Sequence, residues 1–146
     1  MKSAERILIV DDSEDDVLLF QQAFRRAALD YEIVAVRDGE EAMEYLGGRP
    51  PYEDRAKHPL PHLLVLDLKM PRANGFQVLA WLQDQPDLRG LPVVVLTGSD
   101  RQTDMEEARK LGAQEYQVKP IGISELVNLA RHLSSRWLKH APQGES

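Results

Sequence analysis

The sequence predicts an α/β protein with a doubly wound, five-stranded parallel sheet and helices on both faces. Short apolar runs alternate with amphipathic stretches from one end of the chain to the other, which indicates repeated strand–helix units. Several runs are almost continuously apolar, as in strands that are buried on both sides. The 146 residues suit one domain, which we expect over residues 1–140, followed by a disordered tail over 141–146.

Each predicted element has its own signal. The strands are short and rich in β-branched residues, and the first of them ends at a cluster of acids. The first helix repeats apolar residues at helical spacing, and the second begins after Asp38, a capping residue. Glycines follow the second and fourth helices. The predicted strands are 6–10, 32–36, 62–68, 92–98 and 115–120, and the predicted helices are 15–28, 39–46, 75–84, 101–111 and 123–139.

The composition excludes several classes of function. There is no cysteine, hence no disulfide, thiolate zinc site or thiol nucleophile. No apolar run is long enough to span a membrane, and charges interrupt the N-terminal apolar stretch, so we expect a cytoplasmic protein without a membrane partner. The net charge of −6 argues against nucleic acid as a partner, since phosphate backbones bind clusters of Lys and Arg.

Polar side chains stand at the carboxyl ends of four predicted strands. Asp11 and Asp12 follow the first strand, and Asp67 lies at the end of the third. Thr97 lies at the end of the fourth strand and Lys119 at the end of the fifth. Ligands of open parallel sheets bind outside these strand ends, so we expect three carboxylates, a hydroxyl and an ammonium to meet at one edge.

The three carboxylates predict a metal site. Placed together without a cation, they would raise one another's pKa. Oxygen ligands without His or Cys suit a hard ion, and so few of them, with room for water, suit Mg²⁺. The alternative is that Asp11 and Asp12 only cap the first helix, where acids are favourable. That alternative accounts for the acids at positions 14–16, but not for Asp67, beside which no helix begins.

A bound Mg²⁺ beside a carboxylate, a lysine and a threonine is suited to hold a phosphoryl group. The metal and the Lys119 ammonium would neutralise phosphoryl oxygens, and the Thr97 hydroxyl would donate a hydrogen bond to one of them. Asp67 can then attack phosphorus in line and form an acyl phosphate. For Lys119 the alternative is a solvated surface lysine, and Thr97 alone is weak evidence because threonine is common in strands.

Taken together, these residues resemble the receiver domain of two-component response regulators. The motifs are LIVDDSEDD, LLVLDLKMPRANGFQVL, VVVLTGSD and YQVKP, and the resemblance covers about residues 5–138. Any one of these motifs is weak evidence, but the combination is specific. It implies a flavodoxin-like (receiver) fold. It also implies a phosphoprotein that receives its phosphoryl group from a sensor histidine kinase, rather than a turnover enzyme.

The resemblance also implies a role for each residue of the metal site. Asp67 is the phosphoacceptor and also binds the Mg²⁺. Asp12 is a direct metal ligand, whereas Asp11 holds a metal-bound water. The backbone carbonyl of Lys69 completes the site.

Signal transmission is implied by the same resemblance. Thr97 and Lys119 sense the phosphoryl group, and Tyr116 is the switch aromatic that turns inward when Thr97 moves towards the phosphate. Without the family, Tyr116 would be interpreted as a half-buried strand tyrosine. The resemblance further implies a cis peptide bond between Lys119 and Pro120, an isomer that is a minority state even before proline.

Two features resemble the single-domain regulators that serve phytochrome-type sensor kinases. They are the connection over 47–62, which carries four prolines, and the extension of the last helix through RWLKH. That helix is long for the sheet, so we expect Trp137 and Leu138 to project beyond their own domain. Receivers often pair through the face of the fourth helix, fifth strand and fifth helix, which predicts a homodimer through that face. The alternative is that the first strand's edge or the N-terminal residues cover the two side chains.

Three other functions remain as alternatives. A phosphatase of the haloacid-dehalogenase type also uses a strand-end aspartate and Mg²⁺, but it requires a second aspartate where this chain has Lys69. A flavodoxin-like binder of a flavin phosphate needs a Ser/Thr/Gly-rich loop after the first strand, where this chain has acids that would repel a phosphate. A degenerate receiver would act only as a scaffold, although all five site residues are present here.

Overall fold

The structure, a computed structural model, describes residues 5–139 and contains one five-stranded parallel sheet. The strands are β1 (Arg6–Val10), β2 (Glu32–Val36), β3 (Leu63–Leu66), β4 (Val93–Thr97) and β5 (Glu115–Val118). Their order across the sheet is β2-β1-β3-β4-β5, and all neighbouring pairs are parallel. The helices are α1 (Glu14–Arg26), α2 (Gly39–Gly47), α3 (Gly75–Gln83), α4 (Gln102–Lys110) and α5 (Ile123–Trp137), with a short 3₁₀ helix at Pro86–Leu88. The predicted fold class is confirmed.

Two apolar layers cover the sheet, one on each face. Side chains of a strand alternate between faces, so Ile7 and Ile9 of β1 pack with α1 and α5, whereas Leu8 and Val10 pack with α2 and α3. This double burial explains why the central strands β1, β3 and β4 are apolar at almost every position rather than at every second one. None of the helices within residues 5–139 is long and apolar enough to cross a membrane.

The end of α5 differs from the prediction. The helix ends at Trp137, and Leu138 turns into the core between α1 and α5, where it is only 8% exposed. The backbone N–H of Lys139 donates to both carboxylate oxygens of Glu5, at 2.9 and 3.1 Å. Trp137 is half-buried, and its indole N–H donates to Glu115 at 2.6 Å. The expectation that Trp137 and Leu138 project beyond the domain was therefore wrong, because two carboxylates hold this end of the chain against the sheet.

The long connection after α2 is a folded segment organised by one arginine. The Arg55 guanidinium donates to the carbonyls of Tyr45 (2.8 Å), Leu46 (2.9 Å) and His58 (3.0 Å). Two of these carbonyls belong to the last turn of α2, where helix geometry leaves acceptors without partners. Gly48 ends that helix with a left-handed φ of 70°. The connection is thus fixed to α2 by partly buried, charge-assisted hydrogen bonds.

Candidate metal centre

The sheet topology brings the predicted site residues to one edge. Asp11 directly follows β1, Asp67 follows β3, Thr97 is the last residue of β4, and Lys119 follows β5. Backbone hydrogen bonds fix these positions across the sheet. The Asp67 N–H donates to the Val10 carbonyl at 3.0 Å, and the Lys119 N–H donates to the Thr97 carbonyl at 2.8 Å. Because parallel strands all end at the same edge, residues that are far apart in sequence converge there.

Three carboxylates form a compact oxygen cluster at this edge. Asp11, Asp12 and Asp67 each offer one oxygen, and these oxygens lie within 4.8 Å of one another. Asp11 and Asp67 are 4% and 7% exposed, whereas Asp12 is exposed to solvent. An oxygen-only donor set of this size, open to water on one side, fits a hard divalent cation such as Mg²⁺.

The ammonium of Lys119 lies against the acids. Its Nζ is 2.7 Å from Asp16 Oδ2, 2.9 Å from Asp11 Oδ2 and 3.1 Å from Asp67 Oδ2. Burial alone would lower the pKa of Lys119, but the hydrogen bonds that its ammonium donates to Asp16 and Asp11, together with the negative charge of Asp67, outweigh burial and raise this pKa. Burial raises the pKa of the Asp11 carboxyl, an effect that its bond to Lys119 opposes. Lys119 is thus held charged at the site.

Asp16 is the site residue that the sequence did not reveal. Its position predicts an acid that favours the start of α1, and its backbone N–H does donate to the capping hydroxyl of Ser13 at 3.2 Å. Its carboxylate, however, points to Lys119. Asp15 is also an acid in the first turn. The sequence alone therefore does not distinguish the role of Asp16 from that of Asp15.

Thr97 and Tyr116 lie on the neighbouring strands β4 and β5. Thr97 is 1% exposed, and Tyr116 is half-buried against the α2–α3–α4 layer. The Tyr116 hydroxyl donates to the Ser99 carbonyl at 2.9 Å, and burial raises the pKa of this hydroxyl. Ser99 in turn donates its side-chain hydroxyl to Asp104 of α4 at 2.6 Å. Tyr116 thus connects β5 to the loop that follows Thr97.

The backbone after Asp67 approaches α3 closely. The N–H of Leu68 donates to Asp67 Oδ1 at 2.7 Å, and the N–H of Gly75 donates to the Leu68 carbonyl at 3.0 Å. A Cβ at Gly75 would lie 2.4 Å from the Asp67 carbonyl oxygen, so a glycine is needed at this point. Lys69 stands on this loop with its side chain exposed, and the role of its carbonyl as a metal ligand stays a prediction.

The remainder of this loop is tied to the start of α2. Arg72, whose φ is 68°, contacts Asp38 at 3.0 Å and Glu40 at 2.7 Å. The N–H of Gly39 donates to the Ala73 carbonyl at 2.9 Å. The backbone beside the predicted phosphoacceptor is therefore held from two sides, by α3 and by α2.

The expected cis bond between Lys119 and Pro120 is not present. Within residues 5–139 the cis peptide bond is the one between Pro50 and Pro51. Lys119 reaches the acids from a position that its backbone bond to Thr97 already fixes, so the trans isomer is compatible with the site. This expectation was wrong.

The sheet order places the chain among flavodoxin-like α/β domains, whose ligands bind at the switch point between β1 and β3. Here that point carries acids and a lysine, an arrangement suited to a cation and not to a bare phosphate. Residues 7–131 match the family model described as the response regulator receiver domain. The chain belongs to this family, whose members are signalling proteins of two-component systems and not typical turnover enzymes.

Individual proteins that are similar to this chain support its membership of the family. The chain is 35% identical over 133 residues to response regulator Rcp1 of Synechocystis sp., which covers 91% of this chain and 88% of Rcp1. The Mn²⁺-bound form of Rcp1 superposes with a TM-score of 0.81 at 34% identity, over 94% of this chain and 96% of that chain. The phosphorylated cyanobacterial phytochrome response regulator RcpA superposes with a TM-score of 0.85 at 32% identity, over 98% and 100%.

The chain is therefore related to phytochrome response regulators of the single-domain type. Receivers bind divalent cations through acidic residues, and the structure of Rcp1 contains Mn²⁺. Relatives of this kind imply a histidine kinase as the partner.

Proposed function

We propose that this chain is a response regulator that accepts a phosphoryl group on Asp67 from a sensor histidine kinase, in a reaction that requires Mg²⁺. The observation that carries the proposal is the cluster of Asp11, Asp12 and Asp67 within 4.8 Å, with the Lys119 ammonium 3.1 Å from Asp67. The donors are all oxygens, as Mg²⁺ prefers. A carboxylate beside an ammonium and a cation site is arranged for phosphoryl transfer.

The residues of the cluster would have different roles in binding the metal. Asp12, which is exposed, and Asp67 would bind Mg²⁺ directly, Asp11 would hold a metal-bound water, and the Lys69 carbonyl would complete the coordination. When bound, the ion supplies positive charge that neutralises phosphoryl oxygens.

The transfer itself uses the free electron pair of Asp67. One carboxylate oxygen attacks phosphorus in line, a P–O bond forms, and the P–N bond to the kinase histidine breaks, returning the electron pair to the imidazole. Lys119 stabilises the negative charge that gathers on the phosphoryl oxygens. The protein assists its own phosphorylation and dephosphorylation and is not a turnover enzyme.

The signal would pass from the acceptor to the surface through Thr97 and Tyr116. The Thr97 hydroxyl is proposed to donate to a phosphoryl oxygen, which moves the loop that follows β4. Tyr116 is bonded to the Ser99 carbonyl of that same loop, which supports a coupling between them. The change would alter the face of α4, β5 and α5.

We propose a phytochrome-type kinase as the cognate partner, supported by the similarity to Rcp1 and RcpA. No nucleic acid or membrane partner is proposed, given the net charge of −6. Phosphotransfer profiling against the histidine kinases of the source genome tests the choice. We expect the fastest transfer from a kinase with a phytochrome sensor, and preference for another sensor class would contradict this assignment.

Phosphorylation without a kinase tests the function itself. With Mg²⁺ and ³²P-labelled acetyl phosphate, the protein should acquire label that is lost in alkali, as expected of an acyl phosphate. Chelation of Mg²⁺ should prevent labelling. Absence of Mg²⁺-dependent label would favour a degenerate receiver that acts as a scaffold, and label that survives alkali would exclude the aspartate mechanism.

We further propose a homodimer through the face of α4, β5 and α5. β5 is an edge strand, and Val118 at its end is 40% exposed, which supports this face as a contact surface. Light scattering should detect a dimer that Val118→Glu weakens. Leu60→Glu serves as the control, because Leu60 is 37% exposed on the connection after α2. A wild type that stays monomeric at about 10⁻⁴ M, with and without a phosphoryl mimic, would contradict the dimer.

A further inference from the structure

The Lys119 ammonium has no spare donor. An ammonium carries three N–H groups, and three carboxylates surround this one, those of Asp11, Asp16 and Asp67. A phosphoryl oxygen can therefore bond to Lys119 only if one of these carboxylates releases it. Which carboxylate retains the ammonium decides how readily the site accepts a phosphoryl group.

Asp16 differs from the other two partners. Asp11 and Asp67 belong to the proposed metal site, so a bound cation competes with the ammonium for their oxygens. Asp16 lies outside that group of acids, at 2.7 Å it makes the shortest of the three contacts, and its side chain is 39% exposed. Asp16 would therefore be the partner that still holds Lys119 when a cation is bound.

The helix start does not require the Asp16 carboxylate. In a capping box, a side chain at the third helical position accepts from the backbone N–H of the capping residue. Here the capping residue is Ser13 and the third helical residue is Asp16, but the Ser13 N–H donates to Asp11 Oδ1 at 2.9 Å instead. Asp16 thus contributes its N–H to the cap and directs its carboxylate to the ammonium.

The surroundings allow the pair to separate. A cavity of about 40 Å³ lies beside Asp16 and Lys119 and is bordered by Leu19 and Pro120. This volume is enough for a single water molecule. The ion pair therefore borders open space that a water molecule can enter.

We propose that Asp16 is a positioning residue that competes with the phosphoryl group for Lys119 and thereby limits phosphorylation of the resting protein. The inference rests on the proposed function. Neutralising Asp16 removes the competitor, so the ammonium is available to phosphoryl oxygens as soon as they arrive. The phosphorylated state then forms more easily, and the protein releases a bound phosphoryl mimic more slowly.

Asp16→Asn tests this competition, with Asp15→Asn as the matched control. Both residues lie in the first turn of α1, and both substitutions remove one charge from the same helix end, but no contact of Asp15 with Lys119 exists in the described part of the chain. The probe is beryllium trifluoride, a phosphoryl mimic, titrated with Mg²⁺ present. We expect Asp16→Asn to bind it about three- to five-fold more tightly than Asp15→Asn does, as for a partly exposed ion pair.

The outcomes of further measurements decide the interpretation. The mimic is titrated at saturating Mg²⁺, so that a difference in metal affinity does not enter the comparison, and Asp16→Glu, which keeps the charge, should return mimic affinity towards the wild-type value. Equal mimic affinities in Asp16→Asn and Asp15→Asn overturn the competition, and weaker binding by Asp16→Asn means that Asp16 instead anchors Lys119 for the phosphoryl group. A wild type that does not bind the mimic with Mg²⁺ refutes the proposed function itself.

Discussion

Asp67→Asn is expected to abolish phosphorylation, with labelling by acetyl phosphate reduced on the order of 10³-fold or more. Asp67 Oδ1 accepts the Leu68 N–H, and Oδ2 faces the Lys119 ammonium at 3.1 Å. The asparagine amide has the same shape and keeps an oxygen for the backbone N–H, but it lacks a nucleophilic carboxylate. The loss should therefore appear in the chemistry while the fold is retained.

The amount of incorporated label measures phosphorylation, and mass spectrometry identifies the residue that carries it. Asp87→Asn is the control, because Asp87 is an exposed aspartate of the 3₁₀ helix that precedes the amino end of β4, whereas the acids lie beyond the carboxyl ends of the strands. That variant should be labelled as fully as the wild type. Retention of an alkali-labile label in Asp67→Asn, or its transfer to a serine or threonine, would contradict the assignment.

Asp12→Ala is expected to remove Mg²⁺ binding and, with it, Mg²⁺-dependent phosphorylation. Residues that only support a metal ligand typically contribute about 10- to 100-fold to affinity, so loss of a direct ligand should weaken binding by about 100-fold or more. Asp12 is exposed, and within residues 5–139 no hydrogen bond or ion pair involves its carboxylate. Its removal should therefore leave the thermal unfolding midpoint nearly unchanged.

Calorimetric titration with Mg²⁺ measures this effect directly, apart from any activity. Asp15→Ala is the control, since it removes an equivalent exposed charge three residues away. The control should bind Mg²⁺ almost as the wild type does. Asp12→Ala protein that still binds Mg²⁺ with wild-type affinity would rule Asp12 out as a ligand.

The central strands could be predicted because their apolar runs reflect burial on both faces. β1 and β2 have the predicted bounds, whereas β3 spans four residues where seven were expected. The difference arises because Leu68 is buried although it lies in the loop beyond β3. Apolar residues report burial rather than hydrogen bonding, so a buried loop residue extends the apparent strand.

The site could be predicted where topology alone determines it. Asp11, Asp67 and Lys119 follow parallel strands, and that suffices to bring them together. The direction of the Asp16 carboxylate depends on the cap that Asp11 provides to Ser13, a contact between side chain and backbone that no periodicity reveals. Likewise, the burial of Leu138 depends on the hydrogen bond between the Lys139 backbone and Glu5, two residues that are 134 positions apart in the sequence.

The bond between Glu5 and the Lys139 backbone has a consequence for handling the protein. Both residues adjoin the amino end of β1, and Asp11 follows its carboxyl end. Five strand residues at about 3.3 Å each separate the two edges by about 17 Å. A fluorescent fusion or a surface tether joined beyond either residue is thus attached at the edge opposite the acids. An immobilised sample would present its phosphoacceptor to the solution, and a linker joining the two ends would give a circular permutant with an intact acceptor edge.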